Sequence, residues 1–115
     1  MRNIEVVRKS LTRADLRSHL LDEELVKAVV DCELRIMAIG GELHSDEEGV
    51  LLELGSSQKD LWGINLYPDE LTEVWLEYDS MINLRPSQGN RSRGVVDPAI
   101  RDVIRKIVGE LVSDA

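Results

Sequence analysis

The sequence predicts an α+β fold in which an antiparallel sheet of three to five strands has helices packed on one face. Three observations predict this class. Residues 61–67 and 74–78 alternate apolar and polar side chains, as strands with one buried face do. Short turn signals separate the predicted strands, and such hairpin connections produce antiparallel sheets. Residues 98–112 instead carry a helical apolar stripe, which has to pack against the apolar face of a sheet.

Length and composition predict one domain over residues 1–115, since 115 residues is an ordinary domain size. Hydrophobic residues make up 43% and charged residues 31% of the chain, which is globular rather than disordered composition. Cys32 is the only cysteine, which fits a reducing compartment. No apolar run approaches the ~18 residues that a membrane span requires. We therefore expect a cytoplasmic protein that does not contact a membrane.

The formal net charge of −8 is concentrated in the middle of the chain. Residues 42–79 contain eleven acidic side chains against Lys59 alone. This segment predicts a solvated acidic face, and it disfavours general polyanion binding because phosphates would be repelled over much of the surface. A local basic site remains compatible with it.

The N-terminal elements are predicted from caps and periodicity. Residues 4–7 suggest a first strand, and Thr12 with Asp15 three positions later predicts a helix that ends near Leu20 or Leu21. A second, longer helix is predicted from Asp22 to the glycines at 40 and 41. Its apolar stripe recurs at steps of four and three residues: Leu25, Val29, Cys32, Ile36 and Ile39.

The period then changes from helical to strand-like. Segments 42–44 and 50–54 flank an acidic turn and predict a hairpin. The strand at 61–67 places Trp62, Ile64 and Leu66 on one face. The strand at 74–78 follows, and residues 81–84 either continue it or form another. Asp97 as N-cap and Pro98 at the first helical position predict the start of the last helix.

The loop at 85–94 contains three arginines, two serines and no acidic residue. Arginine presents a rigid fork of N–H donors that matches phosphate oxygens, and hydroxyl and amide groups add neutral donors. Gly89 and Gly94 allow backbone N–H groups to turn toward an anion. We therefore predict a small binding module whose loop recognises a phosphate-bearing ligand, either a small molecule or an RNA end. The residues predicted to bind it are Arg85, Ser87, Gln88, Asn90, Arg91 and Arg93.

Two alternatives to this interpretation stay open. The arginines can pair with preceding acidic residues such as Glu77, which would make the loop purely structural. In the other alternative, Asp79, His44 and Arg85 share one cleft and form the acid–base site of a hydrolase. No residue is assigned a catalytic role on the sequence alone.

An imidazole and three carboxylates occur together at residues 44–48, and these groups can bind divalent cations. No second histidine follows at ligand spacing, and an acidic hairpin tip explains the segment equally well. We therefore expect neither a metal site nor a cofactor. Among the aromatic residues, Tyr67 and Trp75 are the predicted exposed pair, and we expect a homodimer contact near Trp75.

Two blocks of sequence, LWGINLYP at 61–68 and DSMINLRPSQGNRSRG at 79–94, resemble an uncharacterised family of short prokaryotic proteins. The family is known as a domain of unknown function. The resemblance extends over nearly the whole chain, including residues 39–44 and the final helix. It implies a small cytosolic prokaryotic protein, and it assigns no activity to any residue.

Overall fold

Within residues 3–22 and 24–113, which the computed structural model describes, the chain forms a five-stranded antiparallel sheet, a short two-stranded parallel sheet and three α-helices. The α+β class and the antiparallel sheet that the sequence predicted are thereby confirmed. The strands are β1 Glu5–Val7, β2 Leu11–Thr12, β3 Val26–Asp31, β4 Ile36–Ile39, β5 Leu61–Leu66, β6 Leu76–Glu77 and β7 Val112–Ser113. The helices are α1 Arg13–Arg17, α2 His44–Glu53 and α3 Pro98–Leu111.

The large sheet has the strand order β1-β4-β3-β5-β6, with β3 at its centre. All six residues of β3 pair with β5, from Val26 opposite Leu66 to Asp31 opposite Leu61. The last strand, β7, returns to the amino-terminal part of the chain and pairs in parallel with β2. Within the described residues, no helix combines the length and apolar character needed to cross a bilayer.

One face of the sheet forms the main hydrophobic core with α1 and α3. Alternate strand residues such as Ala28, Met37 and Ile64 point to this face and are fully buried. Helix α3 contributes the apolar stripe that the sequence predicted, Ile104, Ile107, Val108 and Leu111. Trp62, Ile64 and Leu66 share this face, as expected from their alternation.

The opposite face is covered by α2, whose Leu51 packs with Val29, Ala38 and Leu61. The sequence predicted helices on one face, and α2 adds a layer on the other. This layer forms because the segment predicted as a hairpin is helical. It also explains why β3, β4 and β5 are buried on both faces.

Residues 26–39 form a β-hairpin, so the helix predicted from Asp22 was wrong. The Asp31 carboxylate closes the turn by accepting the backbone N–H groups of Glu33 and Leu34, at 2.8 and 2.9 Å. Strands β3 and β4 carry apolar residues on both buried faces and lack a regular polar alternation, so their apolar residues matched helical steps. Burial on both faces is a tertiary property, and local periodicity does not reveal it.

Residues 44–53 form α2, so the hairpin predicted at 42–54 was also wrong. Three buried residues at helical spacing face the sheet, His44, Glu47 and Leu51. Two of these three residues are polar and titratable. The buried face of the helix is therefore not an apolar stripe, and the sequence shows no helical periodicity of apolar residues here. Gly49 lies inside the helix, although glycine in a polar cluster is typical of a turn.

For the remaining elements, the predicted first residues match the structure better than the predicted last residues. Thr12 and Asp15 form the predicted capping box, but α1 stops at Arg17. Asp97 caps α3 by accepting the N–H of Ala99 at 2.9 Å, and Pro98 opens the helix as predicted. Edge strand β6 is shorter than predicted, and its predicted extension at 81–84 contains a 3₁₀ turn instead.

Candidate functional site

Arg85 is buried inside the fold. Its side chain is 7% exposed and lies over the indole of Trp62, with the guanidinium carbon 4.6 Å from the ring centroid. Its nitrogens donate to three backbone carbonyl oxygens, those of Gln58, Leu61 and Ile82. The predictions that Arg85 binds a ligand or joins a hydrolase site therefore do not fit the structure, because its donors hold the loop against β5.

Asn90 also acts within the fold. Its Nδ2 donates to the backbone carbonyl oxygens of residues 83, 92 and 94, and its Oδ1 accepts the N–H of Val96 at 2.8 Å. The neighbouring Asn83 pairs with both backbone groups of Gly63 in β5, at 2.9 and 3.0 Å. These two amides connect the loop to the sheet, so Asn90 is structural where a ligand donor was predicted.

The other predicted ligand residues are not gathered at one point. Ser87, Gln88 and Arg91 are exposed on the loop. Arg93 forms an ion pair with Asp79, in which Nε and Oδ1 are 2.8 Å apart. Of the loop arginines, Arg93 is therefore the one that reaches the pocket described next.

A pocket of about 510 Å³, lined by both polar and apolar residues, opens on the α2 side of the sheet, between the N-terminus of α2 and strand β6. The strand register places its residues. Lys27 in β3 lies opposite Asn65 in β5, and Asn65 lies opposite Glu77 in β6. We call it the His44 pocket, and its chemistry comes mainly from Lys27, His44, Asn65, Glu77, Asp79 and Arg93.

His44 is held in one tautomer. Its Nε2 lies 2.7 Å from the carbonyl oxygen of Ile64, and a carbonyl only accepts, so Nε2 carries the proton. Burial lowers the pKa of His44, and the charge of Lys27 acts in the same direction. The ring is therefore neutral near pH 7, with Nδ1 as an acceptor. No described residue donates to Nδ1, which is not sealed from solvent.

Gly63 allows His44 and Ser80 to approach the sheet beneath the pocket. A Cβ atom on Gly63 would lie 2.5 Å from the Cβ of Ser80 and 3.2 Å from Cδ2 of His44. The first distance is too short for nonbonded carbon atoms, so a larger residue would displace Ser80. The absence of a side chain at this position thus sets the shape of the pocket floor.

The wall beside β6 consists of hydrogen-bond acceptors. Glu77 Oε1 accepts from Asn65 Nδ2 at 2.9 Å and from the Tyr67 hydroxyl at 3.0 Å. Desolvation, together with the neighbouring Glu77, raises the pKa of Tyr67 to about 12, so its hydroxyl stays protonated. Asn65 is 5% exposed, and no described donor reaches its Oδ1.

Lys27 provides a cation on the opposite side. No described carboxylate lies within ion-pair distance of it, although its charge influences both His44 and Glu47. Glu47 is fully buried, and desolvation raises its pKa to about 9. One of its oxygens accepts the N–H of Gly41 at 2.9 Å. A neutral Glu47 leaves the charge of Lys27 available to a ligand.

Of these six pocket residues, the sequence identified three as site candidates and missed three, Lys27, Asn65 and Glu77. His44, Asp79 and Arg93 had been named as candidates, although for two separate sites. Lys27 and Asn65 were missed because a strand register joins them, and the segment of Lys27 had been predicted as helix. Within the described part of the chain, no group of three His, Cys, Asp or Glu side chains is arranged to hold a metal ion.

Comparison with known proteins relates the chain to a family without assigning an activity. No curated protein and no solved structure matches it. One family model matches residues 5–111, which confirms the resemblance predicted from the sequence blocks. The chain therefore belongs to the family described as protein of unknown function, DUF5674.

Proposed function

We propose that this protein is a small binding module that recognises a phosphate-bearing ligand in the His44 pocket. The observation that carries this proposal is that Lys27 and Arg93, from distant parts of the chain, line the same pocket. Arg93 is the contribution of the arginine-rich loop. The remaining loop residues support it structurally or lie on the surface.

The charges of the pocket support an anionic ligand. Lys27 has no ion-pair partner among the described residues. Arg93 pairs with Asp79 through Nε alone, which leaves its two terminal nitrogens available to phosphate oxygens. Both side chains of this pair are partly exposed, so the pair is worth only about 0–1 kcal/mol and a ligand can compete with it. The pocket volume also lies in the ~300–1,000 Å³ range of small-molecule sites.

Calorimetric titration with phosphate esters tests the proposal. Lys27→Gln and Arg93→Gln should each weaken binding by roughly tenfold or more, since a charge-assisted hydrogen bond contributes about 1.5–3 kcal/mol. Arg91→Gln is the matched control, because Arg91 lies in the same loop and outside the pocket. Its affinity should stay within about twofold of wild type. No binding by wild type, or an equal loss in the Arg91 variant, would refute the proposal.

Salt dependence separates the two ligand sources. A compact metabolite neutralises few charges, so its affinity should fall gently with salt. A 5′-phosphorylated RNA oligonucleotide releases counterions along its length, and its affinity should fall steeply. The acidic net charge of −8 favours the compact ligand.

A hydrolase is the second candidate, and the joint location of His44 and Asp79 in one pocket favours it. Nδ1 of His44 is positioned to accept a proton from water, while the hydrogen bond from Nε2 to Ile64 orients the ring. Arg93 and Lys27 would stabilise developing negative charge where the sequence had suggested Arg85. Turnover of p-nitrophenyl phosphate or p-nitrophenyl acetate that is lost in His44→Gln would establish this function. Absence of turnover in wild type with both esters would exclude it for these ester classes.

A further inference from the structure

We infer that the ligand of the His44 pocket carries hydroxyl groups beside its phosphate, as a sugar phosphate or a mononucleotide does. This inference rests on the proposed phosphate-binding function and specifies the ligand class. It is carried by an unusual surplus of acceptors in a pocket that also holds two cations.

His44 presents the first acceptor. Because Nε2 carries the ring proton and donates it to the Ile64 carbonyl oxygen, Nδ1 can only accept a hydrogen bond. A phosphate dianion offers no proton, so it cannot satisfy this atom. A ligand hydroxyl can donate to Nδ1 and accept from a neighbouring donor.

The carboxylates of Glu77 and Asp79 present further acceptors. Each has one oxygen engaged, by Asn65 and Tyr67 in the first case and by Arg93 in the second. The second oxygen of each has no hydrogen-bond partner among the described residues. Two carboxylates would repel a ligand that offered only phosphate oxygens, but they bind hydroxyl donors well.

Asn65 adds no free donor to this wall. Its Nδ2 is used by Glu77 Oε1 at 2.9 Å and by the backbone carbonyl of Asp79 at 3.3 Å. Its Oδ1 is enclosed and has no partner among the described residues. A buried acceptor without a donor costs free energy, and Asn65 thus has no donor to spare for a phosphate oxygen.

Lys27 lies across the sheet from Glu77, with Asn65 between them, whereas Arg93 contacts Asp79 directly. A phosphate held by Lys27 and Arg93 would therefore bring the rest of the ligand close to the acceptors beside β6 and at the start of α2. A site that accepts from hydroxyl groups discriminates against analogues that lack them where an acceptor such as Nδ1 of the buried His44 would be left unpaired.

A panel of four probes tests the inference on wild type: ribose 5-phosphate, propyl phosphate, inorganic phosphate and ribose. We expect ribose 5-phosphate to bind at least about tenfold more tightly than propyl phosphate, the difference that one or two hydrogen bonds provide. Equal affinity for ribose 5-phosphate and propyl phosphate would overturn the inference and leave the proposed function intact. Failure of all phosphate probes would remove both. Binding of ribose as tight as that of ribose 5-phosphate would overturn the ligand class, because the phosphate would then contribute nothing to the affinity.

The variant His44→Gln tests whether Nδ1 of His44 is responsible for the preference for ribose 5-phosphate over propyl phosphate. The glutamine amide can still donate to the Ile64 carbonyl, but the imidazole Nδ1 is gone. We expect the preference for ribose 5-phosphate over propyl phosphate to fall by about tenfold, while the affinity for propyl phosphate changes little. An equal loss for both ligands would indicate general damage to the pocket and would contradict this role. The ¹⁵N resonance of His44 Nδ1 in wild type gives a second measurement, since it should shift with ribose 5-phosphate and stay unchanged with propyl phosphate.

Discussion

Arg85 stacks on Trp62, with its guanidinium carbon 4.6 Å from the centroid of the indole ring. The same guanidinium donates to backbone carbonyl oxygens at the start of β5 and in the preceding turn. Arginine satisfies several acceptors at once because its N–H groups are fixed in a planar fork. Arg85, which was predicted from the sequence to bind a ligand, therefore holds the loop to the sheet instead.

We expect Arg85→Lys to destabilise the protein by about 2–4 kcal/mol, since lysine cannot reach all of these carbonyl groups and buried acceptors lose their donors. Urea unfolding monitored by tryptophan fluorescence measures the change. Arg91→Lys in the same loop is the control, and it should lie within about 0.5 kcal/mol of wild type because Arg91 is exposed. Equal stability of the two variants would contradict a structural role for Arg85.

The second prediction concerns the pocket floor. Gly63→Ala introduces a Cβ atom 2.5 Å from the Ser80 side chain, so the strand or Ser80 has to shift. We expect a loss of about 1–3 kcal/mol, the usual cost of overpacking a buried site. Gly49→Ala provides the opposite case, because Gly49 lies within α2 and a Cβ there meets nothing within 4 Å. It should stabilise the protein by up to about 1 kcal/mol through helix propensity.

These two glycine variants should therefore change the midpoint of urea unfolding in opposite directions. Destabilisation by Gly49→Ala would argue against the helical assignment of residues 44–53. A neutral Gly63→Ala would show that Ser80 and His44 are not packed against the strand as the structure has them.

Local signals in the sequence predicted the elements that local interactions specify. Strand β5 alternates and the start of α3 carries a cap and a proline, so both were identified correctly. The β3–β4 hairpin was predicted as a helix and α2 was predicted as a hairpin, because each element is stabilised by burial against residues distant in sequence. A strand covered on both faces resembles a helix in its apolar spacing, and a helix that buries His44 and Glu47 resembles a turn.

The same reasoning explains which site residues were predicted. Arg93, His44 and Asp79 stood out by residue type alone. Lys27 and Asn65 lie in the same pocket because the register of β3 against β5 places them opposite each other, and no local sequence pattern encodes this register. Arg85 and Asn90 were predicted as ligand donors because the sequence does not reveal that backbone carbonyl groups use their N–H groups.

The third prediction concerns Cys32, which is half-buried beside the main core. Desolvation, with a smaller contribution from Asp31 and Asp60, raises the pKa of its thiol to about 12. The thiolate is the reactive species, so we expect Cys32 to react with a disulfide reagent at neutral pH about a hundredfold or more slowly than in the urea-unfolded chain. Similar rates in the folded and unfolded protein would contradict the burial of this thiol.

The last prediction follows from the proton on Glu47. Its pKa is near 4.5 in an unfolded chain, and burial raises it to about 9 in the folded protein. The folded state therefore binds more protons between these values. The stability that the proton confers is complete below pH 4.5 and is lost as the pH rises toward about 9, by up to about 1.4 kcal/mol per pH unit.

Glu47→Gln removes this titration, because the amide is nearly isosteric with the protonated carboxyl group and cannot ionise. We expect the variant to gain stability relative to wild type as the pH rises from about 5 to about 8, the range over which the carboxyl group would otherwise lose stability. Urea unfolding of both proteins at several pH values measures the difference in their free energies of unfolding. The contributions of the other titratable groups cancel in this difference, because both proteins contain them. A difference that stays constant with pH would mean that Glu47 is ionised in the folded state, with Lys27 as its counterion rather than as a ligand of phosphate.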